Sequence, residues 1–149
     1  MTVKEYLGQI RNLELKHRYR MLELKRLRED ISPIRGMTYD SARVMTSPKK
    51  STQTELMIDR IVDLESEIIM EAELLHEKRR KIVAQIEAID DIRYRELLLL
   101  RYVDGYSLRA IGVKMGYSYD WAKKAHGQAL KEFIIVHKMS APLYTCISQ

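Results

Sequence analysis

Two stretches of this chain leave little choice but helix. From Thr2 to Asp30 there is one Gly and no Pro, and Val3, Tyr6, Leu7, Ile10, Leu13, Met21, Leu24, Leu27 and Ile31 follow one another mostly at intervals of three or four. From Ser51 to Ile89 there is neither Gly nor Pro, and Met57, Ile61, Leu64, Ile68, Ala72, Leu75, Ile82, Ile86 and Ile89 keep similar intervals. Such spacing puts side chains on one face of a helix, whereas a half-buried strand needs alternation. Two long helices are predicted, each with an apolar stripe that needs covering. A helical hairpin, a coiled coil between chains, or both would cover it.

Local signals set the remaining boundaries. Ser32-Pro33 predicts the end of the first helix, because proline lacks an N–H and disfavours the αR region for the residue before it. Gly36, Thr38, Ser41, Thr46, Ser47 and Pro48 make 32–50 read as a flexible loop. Thr52 followed by Glu55 has capping-box spacing and predicts the start of the second helix. Asp90-Asp91 can cap a helix over Ile92–Val103, whose run Leu97, Leu98, Leu99, Leu100 calls for burial on more than one side. Asp104-Gly105 signals a turn, Ser107 caps a helix over Leu108–Met115 that Gly116 stops, and Ser118 caps a last helix from Tyr119 to His137. The predicted architecture is all-α: a helical hairpin or coiled-coil arm over 1–91, a small helix-turn-helix bundle over 92–137, and a loose tail over 138–149.

Charge is distributed unevenly along these segments. Residues 1–50 hold 12 Lys and Arg against 6 Asp and Glu, residues 51–91 hold 5 against 11, and residues 92–149 hold 9 against 4. The first two segments cancel, as an antiparallel pairing would exploit, so the net charge of +5 equals that of the last segment. A basic remainder suits a polyanion such as nucleic acid.

Other chemistries find little purchase. His76-Glu77 opens like a zinc-protease motif, but Arg80 stands where the second His is needed. His17, His126 and His137 have no ligand partners at usable spacing, and the single Cys146 has no adjacent His. Gly105, Gly112 and Gly116 are accounted for by turns and close packing rather than a phosphate loop. Glu65, Glu67, Glu71 and Glu73, like the basic run Lys78–Lys81, read as helix faces. No enzyme activity, cofactor or metal is expected. No apolar run approaches the roughly 20 residues that cross a bilayer, and the start of the chain lacks a signal-peptide core; the expectation is a cytoplasmic protein with no membrane partner.

The function-bearing pattern is the helix-turn-helix. Ile111 and Met115 are its apolar i, i+4 pair, Gly112 is small where two helices must approach closely, Gly116 and Tyr117 make the turn, and Ala122, Ala125, Ala129 and Leu130 form the inner stripe of the next helix. Leu97, Leu98 and Leu100 can roof this core and Phe133 can close it. Tyr119, Asp120, Lys123, Lys124 and Gln128 are left outside, with cations for phosphates and polar groups for base edges. Ser107 and Arg109 are expected on the phosphate backbone, with Ser118 beside them at the start of the recognition helix. Tyr119, Asp120 and Lys123 would meet bases in the major groove, while Lys124 and Gln128 hold the register. Trp121 has two readings, packing against the motif's first helix or contact with sugar and phosphate; the first is expected.

At Leu100-Arg101-Tyr102, Ala110-Ile111-Gly112, Gly116-Tyr117-Ser118 and Ala129-Leu130 before Phe133, the chain resembles the fourth region of bacterial sigma factors, which reads the promoter −35 element. With its helical N-terminal part, the layout is similar to phage and prophage late-gene transcriptional regulators of the ArpU and RinA type. The resemblance implies a regulator that binds double-stranded DNA; if the long helices pair between chains it is a homodimer, and if they fold back on themselves it needs RNA polymerase or another protein beside it. It departs from the family at Ala122, where a branched aliphatic residue is usual, and at Gln128, near which a basic one is usual. The chain lacks the other regions of a sigma factor, so a regulator is implied rather than a replacement subunit. Two other classes share parts of the pattern: the small subunit of a phage terminase, whose motif normally lies near the N-terminus, and a coiled-coil adaptor whose bundle binds protein.

Overall fold

The structure is a computed structural model that describes residues 1–37 and 48–139. It is all-helical, with no strand among the described residues: α1 Val3–Met37, α2 Pro48–Glu87, α3 Ile92–Leu98, α4 Leu108–Met115 and α5 Tyr119–Val136, with a π-helical turn at Leu99–Val103 between α3 and α4. Contacts group the chain into two compact units, one built from residues 1–13 and 75 onward, the other from Glu14–Leu74.

Several boundaries differ from expectation. Helix α1 runs through Pro33 to Met37 rather than ending at Ser32; a proline's fixed φ is compatible with helix, although proline removes one backbone hydrogen bond and crowds the carbonyl four residues back. Helix α2 begins at Pro48 rather than near Thr52, so the Thr52–Glu55 pair lies inside it; a proline costs nothing at a first helical position, whose N–H has no partner in the helix. The capping box forms instead at the start of α1, where Glu5 N–H donates to Thr2 Oγ1 at 3.0 Å and Thr2 N–H donates to Glu5 Oε2 at 2.6 Å. Of the loop expected over 32–50, only 38–47 is left between helices, and it lies outside the described residues, as do tail residues 140–149 with Cys146.

In the Glu14–Leu74 unit, α1 and α2 run antiparallel. Leu24, Leu64 and Ile68 are buried between them, with Leu27 and Ile61 packed alongside. The opposite charges meet as the segment counts anticipate: Lys16 with Glu71 at 2.9 Å, Arg20 with Glu67 and Glu71, Arg28 with Glu65, and Arg60 with Glu23 at 2.9 Å. Met21 and Ala72 leave the expected stripe and face solvent.

In the other unit, Val3, Leu7 and Ile10 of α1 and Ile82, Ile86 and Ile89 of α2 join Leu97, Leu98, Ile111, Ala125, Ala129, Leu130 and Phe133 in one core. Polar contacts fasten the same elements. Tyr6 Oη donates to Gln85 Oε1 at 2.6 Å, the His137 ring nitrogen Nε2 lies 2.7 Å from the Gln85 carbonyl, and the Arg95 guanidinium donates to the Ile89 carbonyl at 2.7 Å. Asp91 caps α3 by accepting from Arg93 N–H at 2.9 Å.

The helix expected over Ile92–Val103 widens after Leu98. Asp104 N–H donates to the Leu99 carbonyl, five residues back, at 3.1 Å. A wider turn advances each residue by a smaller angle, which keeps Leu97 and Leu98 buried while Leu99, Leu100, Tyr102 and Val103 still pack partly against the core. The burial of the leucine run on several sides is met by changing the helix type.

Candidate nucleic-acid interface

Helices α4 and α5 are joined by a turn whose geometry follows from two glycines. Gly112 sits where a Cβ would fall 3.0 Å from the Tyr117 carbonyl oxygen and 3.1 Å from that of Ser118. Any side chain there would push the helices apart. Gly116 ends α4 at φ +75°, a left-handed conformation that costs an L side chain steric energy. Tyr117 N–H then donates to the Gly112 carbonyl at 2.7 Å.

Both cap serines act as expected. Ser107 Oγ accepts from Ala110 N–H at 3.2 Å, and Ser118 Oγ accepts from Trp121 N–H at 3.1 Å. The inner stripe of α5 is buried at Ala122, Ala125, Ala129, Leu130 and Phe133, and Ile111 is buried opposite it on α4. Trp121 stacks on Tyr117 of the turn, with centroids 3.8 Å apart and planes 18° from parallel, and is partly buried against the core that includes Ile111 of α4. Tyr117 remains exposed and covers the indole from outside.

The residues proposed for DNA lie together on the outside of α4 and α5. Ser107, Arg109, Ser118, Tyr119, Asp120, Lys123, Lys124 and Gln128 are all exposed. Tyr119 is the hub: the Arg109 guanidinium lies 5.4 Å and the Lys123 ammonium 4.8 Å from its ring centroid. Cations over an aromatic ring are held in place without neutralising their charge. Lys123 also meets Asp120 at 3.4 Å, an ion pair one turn apart on an exposed face, while no ion pair is seen for Lys124 among the described residues.

One further residue extends this face, and a second cation–ring pair lies elsewhere on α4. Lys131 lies seven residues after Lys124, two helical turns on, and is exposed. Its signal was the heptad interval from Lys124, available in the sequence. Lys114 of α4 lies over the Tyr106 ring at 4.5 Å, and both are exposed. That pairing brings together residues from the turn before α4 and from its last turn, and no short-range motif marks it.

Behind the face, Tyr102 Oη lies 3.0 Å from His126 Nε2. Burial, with the positive charges of Lys4 and Arg101 adding, pushes the His126 imidazole down to about 4, so the ring is neutral at physiological pH. Burial likewise pushes the Tyr102 phenol up to about 12. This pair belongs to the scaffold that positions α5.

Among the described residues no group of three or more His, Cys, Asp or Glu could hold a metal ion, and no helix is long and apolar enough to cross a membrane. Comparison with protein-family models, curated proteins and solved structures finds no match for the chain.

Proposed function

We propose that this chain is a sequence-specific, double-stranded-DNA-binding transcriptional regulator, of the kind that controls phage or prophage late genes in the bacterial cytoplasm. The observation that carries the reading is the two-sided character of α5. One side is locked to the core through Ala122, Ala125, Ala129 and Phe133, and the other presents Tyr119, Asp120, Lys123, Lys124, Gln128 and Lys131 to solvent. A helix held this way, preceded by a close-packed turn at Gly112 and Gly116, can enter a major groove as a rigid body.

On this reading Ser107, Arg109 and the start of α4 hold the phosphate backbone, Lys124 and Gln128 hold the register with Lys131 further along α5, and Tyr119, Asp120 and Lys123 reach base edges. No catalytic group or cofactor is involved. RNA polymerase is the natural protein partner of a regulator placed beside a promoter element.

Selection of bound fragments from random and phage-derived DNA at physiological salt tests the proposal. Enrichment of an upstream regulatory sequence is the expected result. Enrichment around a packaging site would turn the assignment toward a terminase small subunit, and absence of enrichment over random DNA would turn it toward a protein-binding adaptor.

A further inference from the structure

The turn before α4 gathers cations from three parts of the chain. Gly105 adopts φ +79°, and each of the two successive carbonyls here meets a guanidinium. Arg11 of α1 donates to the Gly105 carbonyl at 3.3 Å, and Arg101 of the π-helical turn donates to the Tyr106 carbonyl at 2.9 Å. The Lys114 ammonium lies 4.5 Å from the Tyr106 ring centroid. A carbonyl or an aromatic ring holds a cation without cancelling its charge, and each guanidinium keeps its other N–H donors. Among the described residues none of these three cations is in an ion pair. Over 97–119 the sequence sets Arg101, Arg109 and Lys114 against Asp104 alone.

Lys4 joins the cluster. It stands seven residues before Arg11, about two turns away on the same side of α1, and both are exposed. The charges of Lys4 and Arg101 both reach His126 in the middle of α5. His126 follows Tyr119 by seven residues and Lys123 by three, so these cations border the flank of α5 that carries those two. Arg109, over the Tyr119 ring, lies at the same flank. A helix lying in a major groove has a sugar–phosphate strand along each side.

We infer that Lys4, Arg11 and Lys114 bind the sugar–phosphate strand along one wall of the groove that α5 enters, which makes α1 part of the DNA-binding surface. Arg101 positions the turn that gathers them. The chemistry is that of phosphate rather than base edges, because the three side chains offer donors and charge but no acceptor. The inference rests on the DNA-binding reading of α5 and extends it to a helix far away in sequence.

Anisotropy titrations of the full chain with a random-sequence duplex at several salt concentrations test it. Lys4→Gln with Lys114→Gln should flatten the slope of log affinity against log salt by about 0.9 for each cation removed, and Arg11→Gln should add a step of similar size. A selected duplex should weaken as much as the random one, since phosphate contacts carry no sequence information. Asp104→Asn should tighten binding, a gain that damage to the fold would not give. Lys81→Gln, at an exposed cation of α2, should leave the slope unchanged, and circular dichroism checks that every variant keeps its helix. An unchanged slope in the double lysine variant, an equal loss in Lys81→Gln, or weaker binding in Asp104→Asn would each overturn the inference. If replacing Lys123 and Lys124 flattens the slope while replacing Lys4 and Lys114 does not, this inference fails and the α5 reading stands; a wild-type chain that binds no duplex removes both.

Discussion

Tyr102 and His126 share a 3.0 Å hydrogen bond with their rings stacked at 27°, which ties the π-helical turn to the middle of α5. The imidazole is held neutral, with its pKa lowered to about 4. In the unfolded chain an imidazole titrates near 6.5, so between these values the unfolded state binds the extra proton. Stability should be full above about pH 6.5 and should fall as the pH drops toward 4, by up to about 3 kcal/mol. The carboxylates Glu5, Glu71 and Asp91, which are lowered from their ordinary values of 4.5, 4.5 and 3.8, begin to act only at the acid end of this window. Urea melts from pH 7 to pH 4 should show the slope in the wild type and a much flatter line in His126→Gln.

Gly112 and Gly127 are both helical glycines, and the structure predicts opposite signs for them. A methyl at Gly112 meets two backbone carbonyls that cannot swing aside. Gly112→Ala should cost about 1–3 kcal/mol, the usual range for overpacking. A Cβ at Gly127 meets nothing within 4 Å, so Gly127→Ala should gain about 0.5–1 kcal/mol by restricting the unfolded chain. Thermal melts of the two variants decide both.

Replacing Lys123 and Lys124 with Ala should weaken DNA binding and flatten its salt dependence, because each phosphate contact contributes roughly 0.9 to the slope of log affinity against log salt. The two lysines should not be equivalent. Lys123 already sits 3.4 Å from Asp120, so Lys124→Ala should flatten the slope more than Lys123→Ala, and Asp120→Asn should tighten non-specific binding. Anisotropy titrations at several salt concentrations would measure this, and an unchanged slope in the double variant would count against the α5 face.

Glu71 accepts from Lys16 at 2.9 Å and from Arg20 at 2.7 Å, with its side chain only 12% exposed. Burial acts to raise its pKa, but the two cations outweigh burial and hold it below the ordinary carboxylate value. Glu71→Ala leaves Arg20 without this half-buried partner and should destabilise the chain by about 1–3 kcal/mol. The wild-type contribution is present above the ordinary carboxylate pKa and lost as pH falls through the lowered one, which acid titration of the two proteins would reveal.

What could be read from the sequence was whatever a few neighbouring residues decide. The caps at Asp91, Ser107 and Ser118, the left-handed stop at Gly116 and the close approach at Gly112 are short-range chemistry, and each is where the spacing puts it. The exposed face of α5 followed from the same periodicity. The Leu99–Val103 widening did not, because it answers the shape of a core assembled from distant residues. Pro33 and Thr52 misled for a related reason: a breaker or a cap signal states a local preference that neighbouring turns can override. The stripes of α1 and α2 announced that they needed partners, yet spacing alone could not say that Val3, Leu7 and Ile10 would pack with Phe133 while Leu24 packed with Leu64 and Ile68.

That early helix segment also sets an order of events during synthesis. Tyr6 bonds Gln85, 79 residues later, and shares a core with Phe133. Val3, Leu7 and Ile10 therefore leave the ribosome long before α5 exists to cover them, and at about 5–20 residues per second the wait lasts several seconds or more. For an all-helical chain this is an unusually non-local closure, and it should slow folding relative to bundles built from adjacent helices. A nascent chain halted before α5 would carry that apolar stripe incompletely covered, a target for chaperones until the last helix is made.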